Sequence, residues 1–268
     1  MSDTGTLSGT GTGTALRDSS IATATAVALC VVLAGYAGTA PVTAAAAVTG
    51  IGVVVAAGGT VILRAGRWSG PADRVTLART VLIGGCATIA VLVLAGELPP
   101  RPGWLLALVV PALMLDAVDG FVARRTGTSS AAGARLDMEM DAALLMVLSA
   151  MAVFSLGWWV LAIGGMRYAF VAASVIRPQL RAPLPFSQFR RVVAAVQGAA
   201  LAAALAPVLS LPVARATVAV ALVLLVISFG RDVISLERQE RQKQRARREA
   251  GRVRSRPAMP PLLSGEAG

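Results

Sequence analysis

The chain has 268 residues, of which 56% are hydrophobic and 15% are charged, and its formal net charge is +11. With a mean hydropathy of +0.71, this composition excludes an ordinary soluble domain and is typical of a polytopic membrane protein. The absence of His and the presence of only two Cys exclude His-ligated zinc, Ser-His-Asp triads and a disulfide framework.

The predicted elements begin with a Gly/Thr/Ser-rich segment, residues 1–19, for which we expect disorder. Eight apolar stretches follow, each about long enough to cross ~30 Å of hydrocarbon as a helix. They lie near residues 20–37, 42–63, 75–96, 103–123, 138–157, 159–177, 192–209 and 212–230. We expect residues 20–40 to be a retained helix and not a cleaved signal, because the preceding segment holds a single Arg. The sequence therefore predicts an all-α, polytopic helical bundle.

Basic residues are distributed unevenly over the predicted loops. One side holds Arg64, Arg67, Arg74, Arg124, Arg125, Arg135, Arg181, Arg190 and Arg191, together with a basic tail at 232–268. The opposite side holds Arg101 and Arg215. The positive-inside rule places the arginine-rich side in the cytoplasm, which predicts a multi-pass protein of the cell membrane with both termini inside. We expect no nucleic-acid partner, because no aromatic residues are interleaved with the charges of the tail; topology or anionic lipid explains them better.

Five of the chain's 14 acidic residues fall within 26 residues, between two apolar stretches on the predicted cytoplasmic side. Asp116 and Asp119 are three residues apart, and Asp137 and Asp141 are four apart, so each pair shares one face of a helix. A short connection makes the two helices antiparallel neighbours, and the four carboxylates then converge. Because they would repel one another in a low-dielectric wall, and because hard cations prefer oxygen ligands, we predict a site for Mg²⁺ or Mn²⁺, with room for two ions.

Small residues and one Arg accompany these carboxylates. Gly120 and Ala123 remove side-chain bulk beside the acids, and Gly133 allows a ligand to approach the backbone closely. Arg124 offers a planar fork that suits phosphate oxygens. Metal ligands, an Arg and a surface of small residues together predict a pyrophosphate site.

The whole stretch follows the pattern D-x2-D-G-x2-A-R-x8-G-x3-D-x3-D, which resembles the signature of the CDP-alcohol phosphatidyltransferases. That family has a six-helix core with the motif on its second and third helices. The resemblance therefore implies a catalytic core at 70–231, with the two helices of 20–63 as an N-terminal addition. A Thr-x-x-Arg element at the start of the family's first core helix is similar to Thr76-Leu-Ala-Arg79.

The resemblance implies transfer of a phosphatidyl group from CDP-diacylglycerol to an alcohol, with release of CMP, in phospholipid biosynthesis. Metal ligands would be Asp116, Asp119, Asp137 and Asp141, and Asp141 would also act as the catalytic base. The CDP moiety would be bound by Gly120, Ala123, Arg124 and Gly133. The resemblance also implies a homodimer.

The acceptor alcohol is left open by the sequence. Abundant arginines near the site favour a phosphorylated polyol such as glycerol 3-phosphate or an inositol phosphate, bound by some of Arg79, Arg167, Arg181, Arg190 and Arg191. For Arg167, a structural ion pair is an equal alternative, and Glu139 is expected to pair with Arg135, four residues earlier. Phosphatidylglycerol is an alternative acceptor. A cation transporter or channel is the alternative from another functional class.

Overall fold

The fold is described by a computed structural model that covers residues 8–37, 39–63, 71–125, 131–176 and 188–254. Every regular element within these ranges is helical, which confirms the predicted all-α bundle. The helices are α1 Ser8–Ala37, α2 Ala40–Leu63, α3 Pro71–Leu94, α4 Leu106–Arg125, α5 Ala131–Leu156, α6 Leu161–Ile176, α7 Gln188–Leu205 and α8 Leu211–Arg254. Short 3-10 turns, Gly103–Leu105 and Trp158–Val160, lead into α4 and α6.

The first helix begins earlier than the sequence predicts. Residues 8–19 were expected to be disordered, but they form the first turns of α1. Two of their side chains, Ala15 and Ser19, are buried, and the Ser19 hydroxyl donates to the carbonyl of Gly58 on α2. Asp18 pairs with Arg74 of α3 at 2.8 Å. Tertiary contacts of this kind override the low helix propensity of a Gly/Thr-rich segment.

The third helix is the central element of the N-terminal half. It packs against α1, α2, α4 and α5. Of its membrane-length span, 78% is buried inside the protein, against 22% for the span in α8. A helix that is apolar on all sides and surrounded by others is expected at the centre of a bundle. The position of α3 matters because its first turns lie beside the acidic residues of α4 and α5.

Two glycines allow α2 and α3 to touch through their backbones. A Cβ atom on Gly50 would lie 2.2 Å from the hydroxyl oxygen of Thr88 and 2.5 Å from the carbonyl oxygen of Gly84. A Cβ atom on Gly84 would lie 2.7 Å from the carbonyl oxygen of Gly50. Small residues at such a crossing permit the close van der Waals packing that holds helices together in lipid. The hairpin formed by α1 and α2 is therefore fixed tightly to the central helix α3.

The C-terminal half is organised around α5, which contacts α3, α6 and α7. Its apolar face contributes Leu148 and Met151 to a continuous buried core that also contains Ile83 of α3 and Leu201 of α7. Gly164 brings α6 close to α5, because a Cβ atom there would lie 2.5 Å from the Cα of Met146. These contacts fix α5, and with it the two aspartates near its start.

Within the described residues, five helices are long and apolar enough to cross a membrane, by length and composition. These spans are Gly13–Tyr36, Ala40–Leu63, Asp73–Leu94, Gly133–Leu156 and Leu211–Ser235. Three shorter apolar helices, within α4, α6 and α7, pack among them. Many large apolar side chains are exposed on the outer surface, as expected of helices whose outer faces contact lipid.

The last helix continues past its apolar span. The basic tail was predicted to begin at residue 232, but α8 runs without interruption to Arg254. Two ring contacts tie the C-terminal end of the apolar span to its neighbours: Phe229 meets Phe170 of α6 edge to face at 5.2 Å, and the guanidinium of Arg231 lies 4.9 Å above the ring of Phe189 on α7. The described part of the tail is therefore a continuation of the last helix.

Candidate active site

Three aspartates converge where α4 and α5 pass the first turns of α3. Asp116 lies nine residues before the end of α4, and Asp137 and Asp141 lie one turn apart near the start of α5. Each contributes one carboxylate oxygen, and these three oxygens all lie within 4.8 Å of one another. The three side chains are 37–42% exposed, so the cluster opens to one side. The predicted meeting of the two helix faces is present for these three residues.

A buried arginine lies on the inner side of the cluster. Arg79 of α3 is 1% exposed and forms ion pairs with Asp116, Asp137 and Asp141. Its contact with Asp141 measures 3.0 Å. At ~1.5 Å of rise per residue, Arg79 and the three aspartates lie about 9–15 Å from the helix ends on one side of the bundle. The sequence associated Arg79 with the acceptor alcohol, and the structure places it among the carboxylates.

The remaining motif residues lie on the same two helices. The backbone of α4 includes Asp119, Gly120, Ala123 and Arg124, but their side chains are outside the described part of the protein. Asp119 is three residues beyond Asp116, and helical geometry puts the two positions on one face. Gly133 lies one turn before Asp137 on α5 and is half-buried. The motif positions therefore lie on the last turns of α4 and the first turns of α5.

The other arginines that were predicted to bind the acceptor alcohol either lie away from this cluster or fall outside the described residues. Arg167 of α6 pairs with Glu139 of α5. The expectation that Glu139 pairs with Arg135 was wrong, because an arginine of the neighbouring helix reaches it instead. Glu139 lies about 200° around α5 from Asp137, which directs it away from the aspartates and towards α6. The contact is the structural pairing considered for Arg167.

The other three predicted arginines lie wholly or partly outside the described residues. Arg181 lies in the segment between α6 and α7, outside the described residues. Arg190 and Arg191 belong to the first turn of α7 by backbone, and their side chains are outside the description. The first turn of α7 lies on the same side of the bundle as the start of α5, because α6 runs back along α5, with Gly164 against Met146 and Arg167 against Glu139.

Comparison with known protein families decides the class of the protein. The sequence model of the CDP-alcohol phosphatidyltransferases matches residues 70–228, a region that begins just before α3 and contains the aspartate cluster. The chain belongs to the CDP-alcohol phosphatidyltransferase family. Searches of curated proteins and of solved structures gave no match.

As a CDP-alcohol phosphatidyltransferase, the protein is a phosphotransferase for substituted phosphate groups, with a CDP-alcohol donor and an alcohol acceptor. Its apolar helices and the family's membrane location make it a multi-pass membrane enzyme. The predicted resemblance is confirmed. The hairpin formed by α1 and α2 precedes the matched region.

The aspartate cluster of this phosphatidyltransferase fits a divalent cation. Its ligand atoms are oxygens alone, which suits Mg²⁺ or Mn²⁺ better than softer metals. Three carboxylates and one guanidinium leave a net charge of −2 when all four are ionised, and an ion of charge +2 would neutralise it. The exposed side of the cluster also offers a path of entry. The geometry thus supports metal binding at Asp116, Asp137 and Asp141.

The part of the site that sequence reasoning missed is the contact of Arg79 with the carboxylates. One signal was available: Arg79 is an ionisable residue inside an apolar helix, at the same depth from the helix end as the aspartates. A charged residue in such a position needs a partner of opposite sign. The spacing within one helix cannot show which neighbouring helix supplies that partner.

Proposed function

We propose that the protein transfers the phosphatidyl group of CDP-diacylglycerol to a phosphorylated polyol, such as glycerol 3-phosphate or an inositol phosphate, and releases CMP. The observation that carries the proposal is the convergence of Asp116, Asp137 and Asp141 on one open site within an apolar helical bundle. Membership of the family supplies the reaction type. A diacylglycerol donor fits a site formed by membrane-length helices, because its acyl chains remain in lipid.

The proposed roles of the motif residues are those that the resemblance to the family implies. Asp116, Asp119, Asp137 and Asp141 would hold divalent ions, Mg²⁺ or Mn²⁺, and four carboxylates suffice for two of them. The pyrophosphate and nucleotide are bound by Gly120, Ala123, Arg124 and Gly133. When bound, the ions neutralise the pyrophosphate and stabilise the negative charge that develops on the leaving CMP. The small residues keep side-chain bulk away from the phosphates, and Arg124 adds hydrogen-bond donors.

The transfer is a displacement at the β-phosphorus of CDP-diacylglycerol. The acceptor hydroxyl oxygen forms a bond to this phosphorus, and the bond from the phosphorus to the bridging oxygen breaks. CMP leaves with that bonding electron pair, and the proton of the hydroxyl passes to the carboxylate of Asp141. The side chain of Asp141 is 42% exposed, which supports direct contact with a substrate that enters from the open side.

The acceptor is assigned from the basic residues on the same side of the bundle. Arg190 and Arg191 belong to the first turn of α7 by backbone, and Arg181 precedes that helix in the sequence; we expect these arginines to provide cations for the phosphate of a polyol phosphate. Arg167 is paired with Glu139 and would bind the acceptor only after releasing that partner. By the positive-inside rule we expect this side to face the cytoplasm, where a water-soluble sugar or polyol phosphate is available, and we propose the cell membrane as the location of the protein.

The experiment is an acceptor screen. Purified protein in lipid nanodiscs is given CDP-diacylglycerol, Mg²⁺ or Mn²⁺, and one acceptor at a time, and CMP is measured. We expect CMP release with a polyol phosphate and none without an acceptor. Release with phosphatidylglycerol alone would replace the proposed acceptor class and retain the transferase. Metal flux across liposomes with no CMP release under any acceptor would contradict the proposal and favour an ion pathway.

A further inference from the structure

The position of Arg79 differs from that of an ordinary substrate-binding arginine. Its side chain is 1% exposed, whereas the carboxylates it contacts are 37–42% exposed. The guanidinium therefore closes the inner side of the cluster, and the aspartates lie between it and the open side. A substrate phosphate that entered from the open side would meet the carboxylates first. Arg79 is thus poorly placed to bind an anion and well placed to act on the aspartates.

Arg79 is also the residue that joins three helices through charge. It extends from α3 to Asp116 on α4 and to both Asp137 and Asp141 on α5. Three carboxylates this close repel one another, and a buried arginine without anions would be costly. Each therefore stabilises the other, and the cluster stays assembled without an added cation.

We propose that Arg79 is an internal counter-cation: it holds the three aspartates together in the metal-free protein, and it lowers their affinity for the divalent ion. This inference depends on the metal site of the proposed function. Arg79 is then a positioning residue that touches the metal ligands and no substrate. It would keep the helix ends assembled before the metal binds, and it would keep metal binding weak enough to be reversible.

Two opposing effects decide what removal of Arg79 does to metal binding. Loss of the guanidinium leaves the carboxylates less ordered, which weakens binding. It also removes a positive charge that contacts the same carboxylates as the ion, which strengthens binding. Aspartate side chains are short and lose little rotamer freedom on ordering. The repulsion between a unit charge and a divalent ion at contact distance in a site of low dielectric constant is much larger. We therefore expect tighter metal binding.

The experiment measures Mn²⁺ affinity and thermal stability of purified full-length protein in nanodiscs. We expect Arg79→Gln to bind Mn²⁺ at least about tenfold more tightly than the wild type, as judged from the electron paramagnetic resonance signal of free Mn²⁺. In EDTA its Tm should fall below that of the wild type, and saturating Mn²⁺ should remove most of the difference. Arg74→Gln is the matched control, because Arg74 lies on the same helix, is 59% exposed and pairs with Asp18; it should leave Mn²⁺ affinity unchanged.

Unchanged or weaker Mn²⁺ binding by Arg79→Gln overturns the inference, and so does a loss of Tm that is equal with and without metal. If this variant does not fold, Arg79→Lys provides the test: it keeps the positive charge and should bind Mn²⁺ within about threefold of the wild type, whereas a tenfold gain would overturn the inference. Failure of the wild type to bind Mn²⁺ overturns the inference and the proposed metal site together. Weaker binding by Arg79→Gln in a protein whose wild type releases CMP overturns the inference alone.

Discussion

The contact between α2 and α3 permits a quantitative test of the packing around the central helix. Replacing Gly50 with Ala places a Cβ atom 2.2 Å from the hydroxyl oxygen of Thr88 and 2.5 Å from the carbonyl oxygen of Gly84. Because the second neighbour is backbone, α2 and α3 must move apart by about 1 Å to restore ordinary contact. Overpacking of this kind costs about 1–3 kcal/mol of unfolding free energy.

Gly52→Ala is the matched control, because a Cβ atom on Gly52 would have no neighbour within 4 Å. Both substitutions gain the same helix propensity, so the difference between them isolates the overpacking. We expect Gly50→Ala to be about 1–3 kcal/mol less stable than Gly52→Ala. The measurement is reversible unfolding of the two purified variants in mixed detergent micelles, followed by circular dichroism. Equal stability of the two variants would show that α2 and α3 are not in backbone contact, and the described packing would be wrong.

Three further predictions concern the site and the side of the bundle opposite to it. Asp141→Asn should lower the rate of CMP release at least about 100-fold, because it removes both a metal ligand and the base. Glu139→Gln is the control: this residue lies two positions away and pairs with Arg167 of α6, so its rate should stay within about threefold of the wild type. Equal losses of rate in the two variants would refute the role of Asp141 as ligand and base. Chelation with EDTA should abolish CMP release, and added Mg²⁺ or Mn²⁺ should restore it; activity that persists after dialysis against EDTA would argue against a metal site. Arg101→Ala should lower the unfolding free energy by about 1–3 kcal/mol without changing Mn²⁺ affinity, because it removes hydrogen bonds to the carbonyls of Ala206 and Leu209 in the turn after α7. Unchanged stability in the detergent unfolding assay would show that these bonds contribute nothing.

The helices and much of the site could be predicted because both depend on local patterns. Apolar stretches of membrane length are visible directly in the sequence, and each predicted stretch overlaps one helix of the structure. The spacing of Asp137 and Asp141 fixes a common face within one helix, whatever surrounds it. The short segment between α4 and α5 then brings Asp116 to the same place. The convergence of these three carboxylates therefore follows from local geometry, and it is present in the structure.

Contacts that depend on the lateral arrangement of the helices could not be predicted from the sequence. Arg79 lies 37 residues from Asp116 in the chain, and no periodicity shows that α3 touches both α4 and α5. Glu139 pairs with Arg167 of the neighbouring helix α6 and not with Arg135 of its own helix, because the arginine of α6 lies within reach. The early start of α1 likewise depends on packing against α2 and α3, which outweighs local propensity.

The position of Mn²⁺ in crystals of the protein grown with the ion, located by anomalous X-ray scattering, would show whether the aspartates bind metal. We expect anomalous density bounded by the carboxylates of Asp116, Asp137 and Asp141, with Asp119 on the same side. Density elsewhere, or none at this cluster in crystals of protein that releases CMP, would contradict it.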